Sequence, residues 1–197
     1  PAGFWASAAE DVSWIKPATT ILDDAKPPFY RWFVGGEING CHNAVDYHVE
    51  AGHGDRLAII YDSAILGVQE NISYAELQDR VARCADVLLQ CGIGYGDRVI
   101  IYMPMIPQAL VTMLACARIG AVHSVVFGGF AAAELAKRID DATPKMIVTA
   151  SCGLEPGRVV AYKPLIDEAI ELSAHKIDKV LLYQREMCTA VMIDGRD

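Results

Sequence analysis

The residues best suited to meeting an anionic ligand lie in two short stretches, Phe127-Gly128-Gly129-Phe130 and SCGLEPGR from Ser151 to Arg158. A glycine pair lets a backbone approach a ligand closely and tolerates positive φ. A helix opening at about Ala131 would add free N–H groups. On chemistry alone, a bare glycine pair reads first as a turn. Arg158 ends the second stretch, and a guanidinium suits phosphate because its planar fork donates two parallel charge-assisted bonds. Taken singly, it reads as a solvated surface arginine. Other patterns promise less. GIGYGD (Gly92 to Asp97) looks like a dinucleotide loop, but it follows a helix and opens a strand, the reverse of that fingerprint, so it reads as a helix stop and turn. Cys41, His42, His48 and His53 match no compact zinc spacing. His123 falls in a strand pattern and reads as a core histidine. Asp23-Asp24 and Asp140-Asp141 are adjacent pairs whose side chains should point apart. Neither G-x-x-x-x-G-K-[ST] nor G-x-S-x-G occurs. No residue is therefore assigned to catalysis, and none to a metal.

The elements that must position these stretches show in the periodicity. Arg98 to Met103 is a β-branched apolar run sized for a buried parallel strand. Pro107 suits the first turn of a helix, apolar residues then recur at helical spacing, and Gly120 supplies the stop. The pattern repeats as strand Ala121–Phe127, helix Ala131–Asp141, strand Lys145–Ala150, helix Tyr162–Ala174 and strand Lys179–Tyr183, with SCGLEPGR as a long loop. Alternating βα units with short connections predict an α/β fold: a mainly parallel βαβ sheet with helices on both faces. The glycine pair then sits at the carboxyl edge of the sheet, where ligands bind in such folds. Upstream, Leu57–Tyr61 and Asn71-Ile72 are expected to pair through a turn at Gly67. Ser73 and Glu76 form a capping box for a helix that stops at Gly92. Residues 1–56 read as an irregular arm with some helix, including a short one from Asn43 to Glu50. Its three tryptophans argue that it packs on the body formed by residues 57–197.

The 197-residue chain is 53% hydrophobic, with ample apolar surface for a core. Its net charge of −8 and the lack of any Lys/Arg run argue against a nucleic-acid-binding face. No apolar run reaches membrane-spanning length, and no signal peptide shows. The six cysteines form no C-x-x-C pair and sit in apolar patterns, as in a reducing compartment, so no disulfide is expected. The chain begins at Pro1 and nothing after Asp197 closes the last unit, so it is expected to be part of a longer protein.

IYMPMIPQA (Ile101 to Ala109), MLACARIGAVHSVVFGGF (Met113 to Phe130) and ASCGLEPGR (Ala150 to Arg158) together resemble the amino-terminal part of short-chain acyl-CoA synthetases of the adenylate-forming superfamily. The resemblance runs from SWIKP at Ser13 to the end of the chain. It looks nearest to the propionyl-CoA branch through KPPFYRWFVGGEIN (Lys26 to Asn39), AIIYDS (Ala58 to Ser63) and CGLEPGR. It implies the large N-terminal domain of that fold and an AMP-forming acid–thiol ligase. Such an enzyme uses ATP, coenzyme A and Mg2+ to activate propionate or another short carboxylate, acetate being the alternative. It also implies that Phe127, Gly128 and Gly129 shape the pantetheine passage and that Arg158 contacts coenzyme A phosphate. The acetyl-CoA pattern carries a second basic residue near Glu155, and the acid here fits the propionyl branch. The family's Pro-Lys-Gly phosphate loop, adenine site and catalytic lysine lie downstream of Asp197, so this length alone is expected to be inactive. Small molecules and the missing C-terminal part are the expected partners, and neither nucleic acid nor membrane is. The resemblance implies the cytoplasm, or the mitochondrial matrix in a eukaryote. A reading from another class remains: a non-catalytic coenzyme A- or nucleotide-binding module, or a truncated interaction protein.

Overall fold

A computed structural model describes residues 1–197. Helix α1 (Ala2–Ala8) precedes an antiparallel hairpin, β1 (Thr20–Asp23) with β2 (Arg31–Val34). Two π-helical turns, His42–Asp46 and Val49–His53, lead to a second hairpin, β3 (Leu57–Ser63) with β4 (Val68–Ser73). Then come α2 (Tyr74–Gln90), β5 (Arg98–Met103), α3 (Pro107–Ile119), β6 (Val122–Phe127), α4 (Ala132–Ala142) and β7 (Met146–Ala150). A third hairpin, β8 (Cys152–Glu155) with β9 (Arg158–Ala161), leads to α5 (Lys163–Leu172) and β10 (Lys179–Tyr183).

The four long-range strands form one parallel sheet in the order β10-β7-β5-β6. After β5 the chain steps outward to β6, then returns across β5 to β7. Right-handed crossovers of opposite direction put their helices on opposite faces, and the packing follows. On one face, Val99, Ile101 and Met103 of β5 pack with Leu77, Val81 and Leu88 of α2 and Val111 and Ala115 of α3. On the other, Ile100 and Tyr102 pack with Leu135 and Ile139 of α4 and Ile166 of α5. Alternation along one strand therefore feeds two cores. Each fully buried isoleucine there is worth roughly 1.5–3 kcal/mol of apolar burial. Strands are added to one side of β5 by β6 and to the other by β7 and β10, so the carboxyl edge beside β5 is the switch point of an open α/β sheet.

Local signals behave as read. Ser73 caps α2, its Oγ accepting from the Glu76 amide while the Glu76 carboxylate accepts from the Ser73 amide at 2.8 Å. Gly120 ends α3 at φ 73°.

Four expectations change. The arm is not irregular throughout, because TILD and RWFV pair as a hairpin across the Lys26-Pro27-Pro28 turn region. The Asn43 to Glu50 helix is a pair of wider π-helical turns, the second interrupted at Gly52 with φ 81°. The expected long loop SCGLEPGR folds back on itself, with Glu155 opposite Arg158 and Gly157 at φ 79° in the turn. Strand β6 is not buried, since it pairs only with β5; Val122, Val125 and Phe127 are exposed and His123 is half-buried.

Side chains tie the segment around residues 39–46 to the body. Asn39 Nδ2 donates to the Arg118 carbonyl at 2.9 Å. Asp46 Oδ1 accepts from Arg118 Nη2 at 2.5 Å and from Gln78 Nε2 at 2.8 Å. The tip behind it makes its own aromatic cluster, Trp5 edge-on to Trp32 and Trp14 against Phe33, while Phe4 and Phe29 stay exposed. No helix is long and apolar enough to cross a membrane.

Candidate functional site

At the carboxyl ends of β5 and β6, beside the β8–β9 hairpin, lies a cleft of about 260 Å3, lined among others by Met103, Met105, Phe127, Gly128, Glu155 and Tyr162. Its wall is built from backbone that no side chain could replace. A Cβ added at Gly128 would lie 2.5 Å from Tyr162 Oη and 2.8 Å from the Met103 carbonyl oxygen. A Cβ at Gly153, in the hairpin, would also collide with Tyr162 Oη. A glycine turn after β6 and a glycine of strand β8 thus close on one phenol oxygen. Gly129 adopts φ 104°, a conformation natural only to glycine.

A second tyrosine sets the shape of the glycine turn. Tyr102, buried at the end of β5, accepts from the Gly129 amide at 3.0 Å and donates to the Phe130 carbonyl at 2.8 Å. The two rings pack with centroids 5.0 Å apart. Burial pushes the Tyr102 hydroxyl up, against a smaller downward effect of the Gly129 amide. Burial, with help from Tyr102 and Glu155, pushes Tyr162 up to about 12. Both are neutral phenols at physiological pH: hydrogen-bonding groups and spacers, not bases.

The four residues singled out in the sequence gather around this cleft. Phe127 stands exposed at its lip, against Phe130. Gly128 forms wall. A Cβ at Gly129 would lie 3.7 Å from Glu155 Oε1. Arg158 sits on the hairpin rim with its guanidinium on Glu155, Nε donating at 2.8 Å and Nη2 at 2.6 Å from the same oxygen. A ligand phosphate reaching Arg158 therefore competes with Glu155. Sequence reasoning missed Tyr102, Tyr162 and Arg185, all lining or shaping the cleft. The carboxyl-edge rule pointed at Tyr102 and at Arg185, which follows β10; no local signal marked Tyr162.

Residues 46–196 match the family model described as AMP-binding enzyme, and residues 1–44 match the acetyl-coenzyme A synthetase N-terminus. Along its whole length the chain is similar to human acyl-CoA synthetase short-chain family member 3, mitochondrial, at 54% identity, and covers 29% of that protein. It is 47% identical to an acetyl-coenzyme A synthetase of Streptomyces avermitilis over 99% of this chain and 30% of the relative. It is 46% identical to a propionate–CoA ligase of Salmonella typhimurium over 100% of this chain and 31% of the relative. The chain thus spans under a third of the length of these curated relatives.

Proposed function

The chain belongs to the AMP-binding enzyme family, and from that premise we propose that it forms part of an acid–thiol ligase that joins a short carboxylate to coenzyme A. In that reaction a carboxylate oxygen attacks the α-phosphate of ATP. The P–O bond to pyrophosphate breaks and an acyl-adenylate forms. The thiol sulfur of coenzyme A then attacks the acyl carbon, loses its proton, and AMP leaves. Adenylation replaces a poor leaving group, oxide, with a good one.

This chain's own part is on the thiol side. The cleft walled by Gly128 and lipped by Phe127 passes the slender pantetheine arm, and Arg158 on the rim takes a coenzyme A phosphate. The observation that carries this reading is the wall of the cleft, where Gly128 and Gly153 meet Tyr162 with no room for a side chain. Magnesium, when bound to the nucleotide, neutralises charge on the transferring phosphates. The chain holds no group of three carboxylate, imidazole or thiol side chains placed to bind a metal, so no step is placed on an ion held by these residues. Propionate is the proposed acid, supported by the propionate–CoA ligase similarity and by Glu155. Acetate is the alternative, supported by an acetyl-coenzyme A synthetase of nearly equal identity.

Calorimetric titration with coenzyme A tests the assignment. The chain should bind saturably. Arg158→Ala should weaken binding about tenfold, since a charge-assisted fork bond is lost, and Glu155→Gln should strengthen it by freeing the guanidinium. A folded chain that ignores coenzyme A, or an Arg158→Ala variant that binds as well, overturns it.

A further inference from the structure

Arg185 follows β10 at the carboxyl edge of the sheet and is only 8% exposed. A buried guanidinium is costly unless it is paired. This one has a single protein acceptor, the Cys152 carbonyl, at 2.9 Å from Nη1, and no carboxylate partner. Its backbone is held firmly, the amide donating to Ser151 Oγ at 2.8 Å. The free nitrogens are not sealed in protein, because the only fully enclosed side-chain polar atom without a partner is Arg118 Nε. Arg185 lines both the 260 Å3 cleft and an adjoining cleft of about 310 Å3. The carboxylates lining these clefts that are close to an arginine already have one. Glu155 is paired with Arg158, and Glu70 with Arg80 at 2.8 Å. Glu186 is exposed and unpaired.

We propose that Arg185 is the anchor of a phosphoryl-binding site at the junction of the two clefts, separate from the rim arginine. A guanidinium can present two parallel donors to one oxyanion. The hydroxyl-bearing residues Tyr61, Ser63 and Tyr162 line the same cleft, and a tetrahedral group with three oxygens accepts from more directions than a planar carboxylate. The phosphoryl group comes either from a coenzyme or nucleotide or from a free phosphate. The site does not depend on the coenzyme A reading, and the test separates them.

The test is calorimetric titration of the whole chain with inorganic pyrophosphate, inorganic phosphate, propionate and coenzyme A at fixed ionic strength. The subjects are wild type, Arg185→Met, Arg185→Lys and Arg158→Ala. Pyrophosphate or phosphate should bind saturably to wild type and more tightly than propionate. Binding should fall at least tenfold in Arg185→Met and partly in Arg185→Lys, which keeps the charge and loses the fork. It should be unchanged in Arg158→Ala. Arg185→Met should unfold at the same or higher denaturant, as expected when an unpaired buried charge is replaced by an apolar chain of similar length. If that variant fails to fold, Arg185→Lys carries the comparison. No saturable phosphoryl binding by wild type, or equal binding by a folded Arg185 variant, overturns the proposal. If wild type binds pyrophosphate but not coenzyme A, only the rim reading falls. If coenzyme A binds but pyrophosphate and phosphate do not, only the Arg185 site falls.

Discussion

An alanine at Gly128 would force its methyl against Tyr162 Oη and the Met103 carbonyl, and the second contact is backbone that cannot swing away. Gly128→Ala should therefore lower stability by about 1–3 kcal/mol, the usual cost of overpacking. It should also weaken coenzyme A binding at least tenfold by displacing the wall. Chemical denaturation and calorimetry on one preparation read both, and an alanine variant with wild-type stability and binding sinks the idea that the wall is this tight. Gly129 poses a different problem. A Cβ there has space, its nearest neighbour being Glu155 at 3.7 Å, but φ 104° is strained for any other residue. The glycine pair was visible in the sequence, but its reason was not. Gly128 is constrained by a tyrosine 34 positions later in the chain (162 minus 128), and no spacing rule reports which distant ring will arrive.

Helix α2 gives the element-scale test. The Ser73–Glu76 box satisfies two amides at its start, and a lost cap costs about 0.5–2 kcal/mol. Ser73→Ala should lower the urea midpoint by that free energy divided by the slope, with the slope unchanged. The Glu76 carboxyl is held below its ordinary value, first by the Ser73 amide and then by the Ser73 hydroxyl. A depressed carboxyl adds stability above its unfolded value and loses it as pH falls through its folded one. The difference between Glu76→Ala and wild type should therefore shrink in acid, below the ordinary carboxylate range; a constant difference across that range counts against the box. This helix was legible because its signals are local: a serine, a glutamate three residues on, and an apolar face. The βα alternation was legible for the same reason. Hairpin β8–β9 was not read, because strands of four residues carry too little pattern, although Pro156-Gly157 is itself a strong turn signal. The exposure of β6 was illegible in principle, since a strand's own sequence does not say whether both of its edges are paired.

At the scale of the molecule, one ion pair joins the arm to the helices that cover one face of the sheet. Asp46 binds Arg118 and Gln78 together, with side chains only 15% and 26% exposed for the charged pair. Asp46→Ala leaves a half-enclosed guanidinium whose Nε already lacks a partner. The loss should be about 1–3 kcal/mol, less than for a fully buried pair because water still screens it. Limited proteolysis should then cut faster within residues 1–45 while the sheet persists; an unchanged cleavage pattern means the arm is held by its apolar contacts instead. The cleft depends on the same kind of long-range meeting. Gly128 comes from the connection after β6, Gly153 and Tyr162 from opposite ends of the connection after β7, and one phenol oxygen gauges the distance between the two glycines. Their sizes are in effect a single inherited quantity. A lineage that placed a side chain at either glycine would have to shorten the residue at 162 in step, so drift at any one of these positions is tied to the other two.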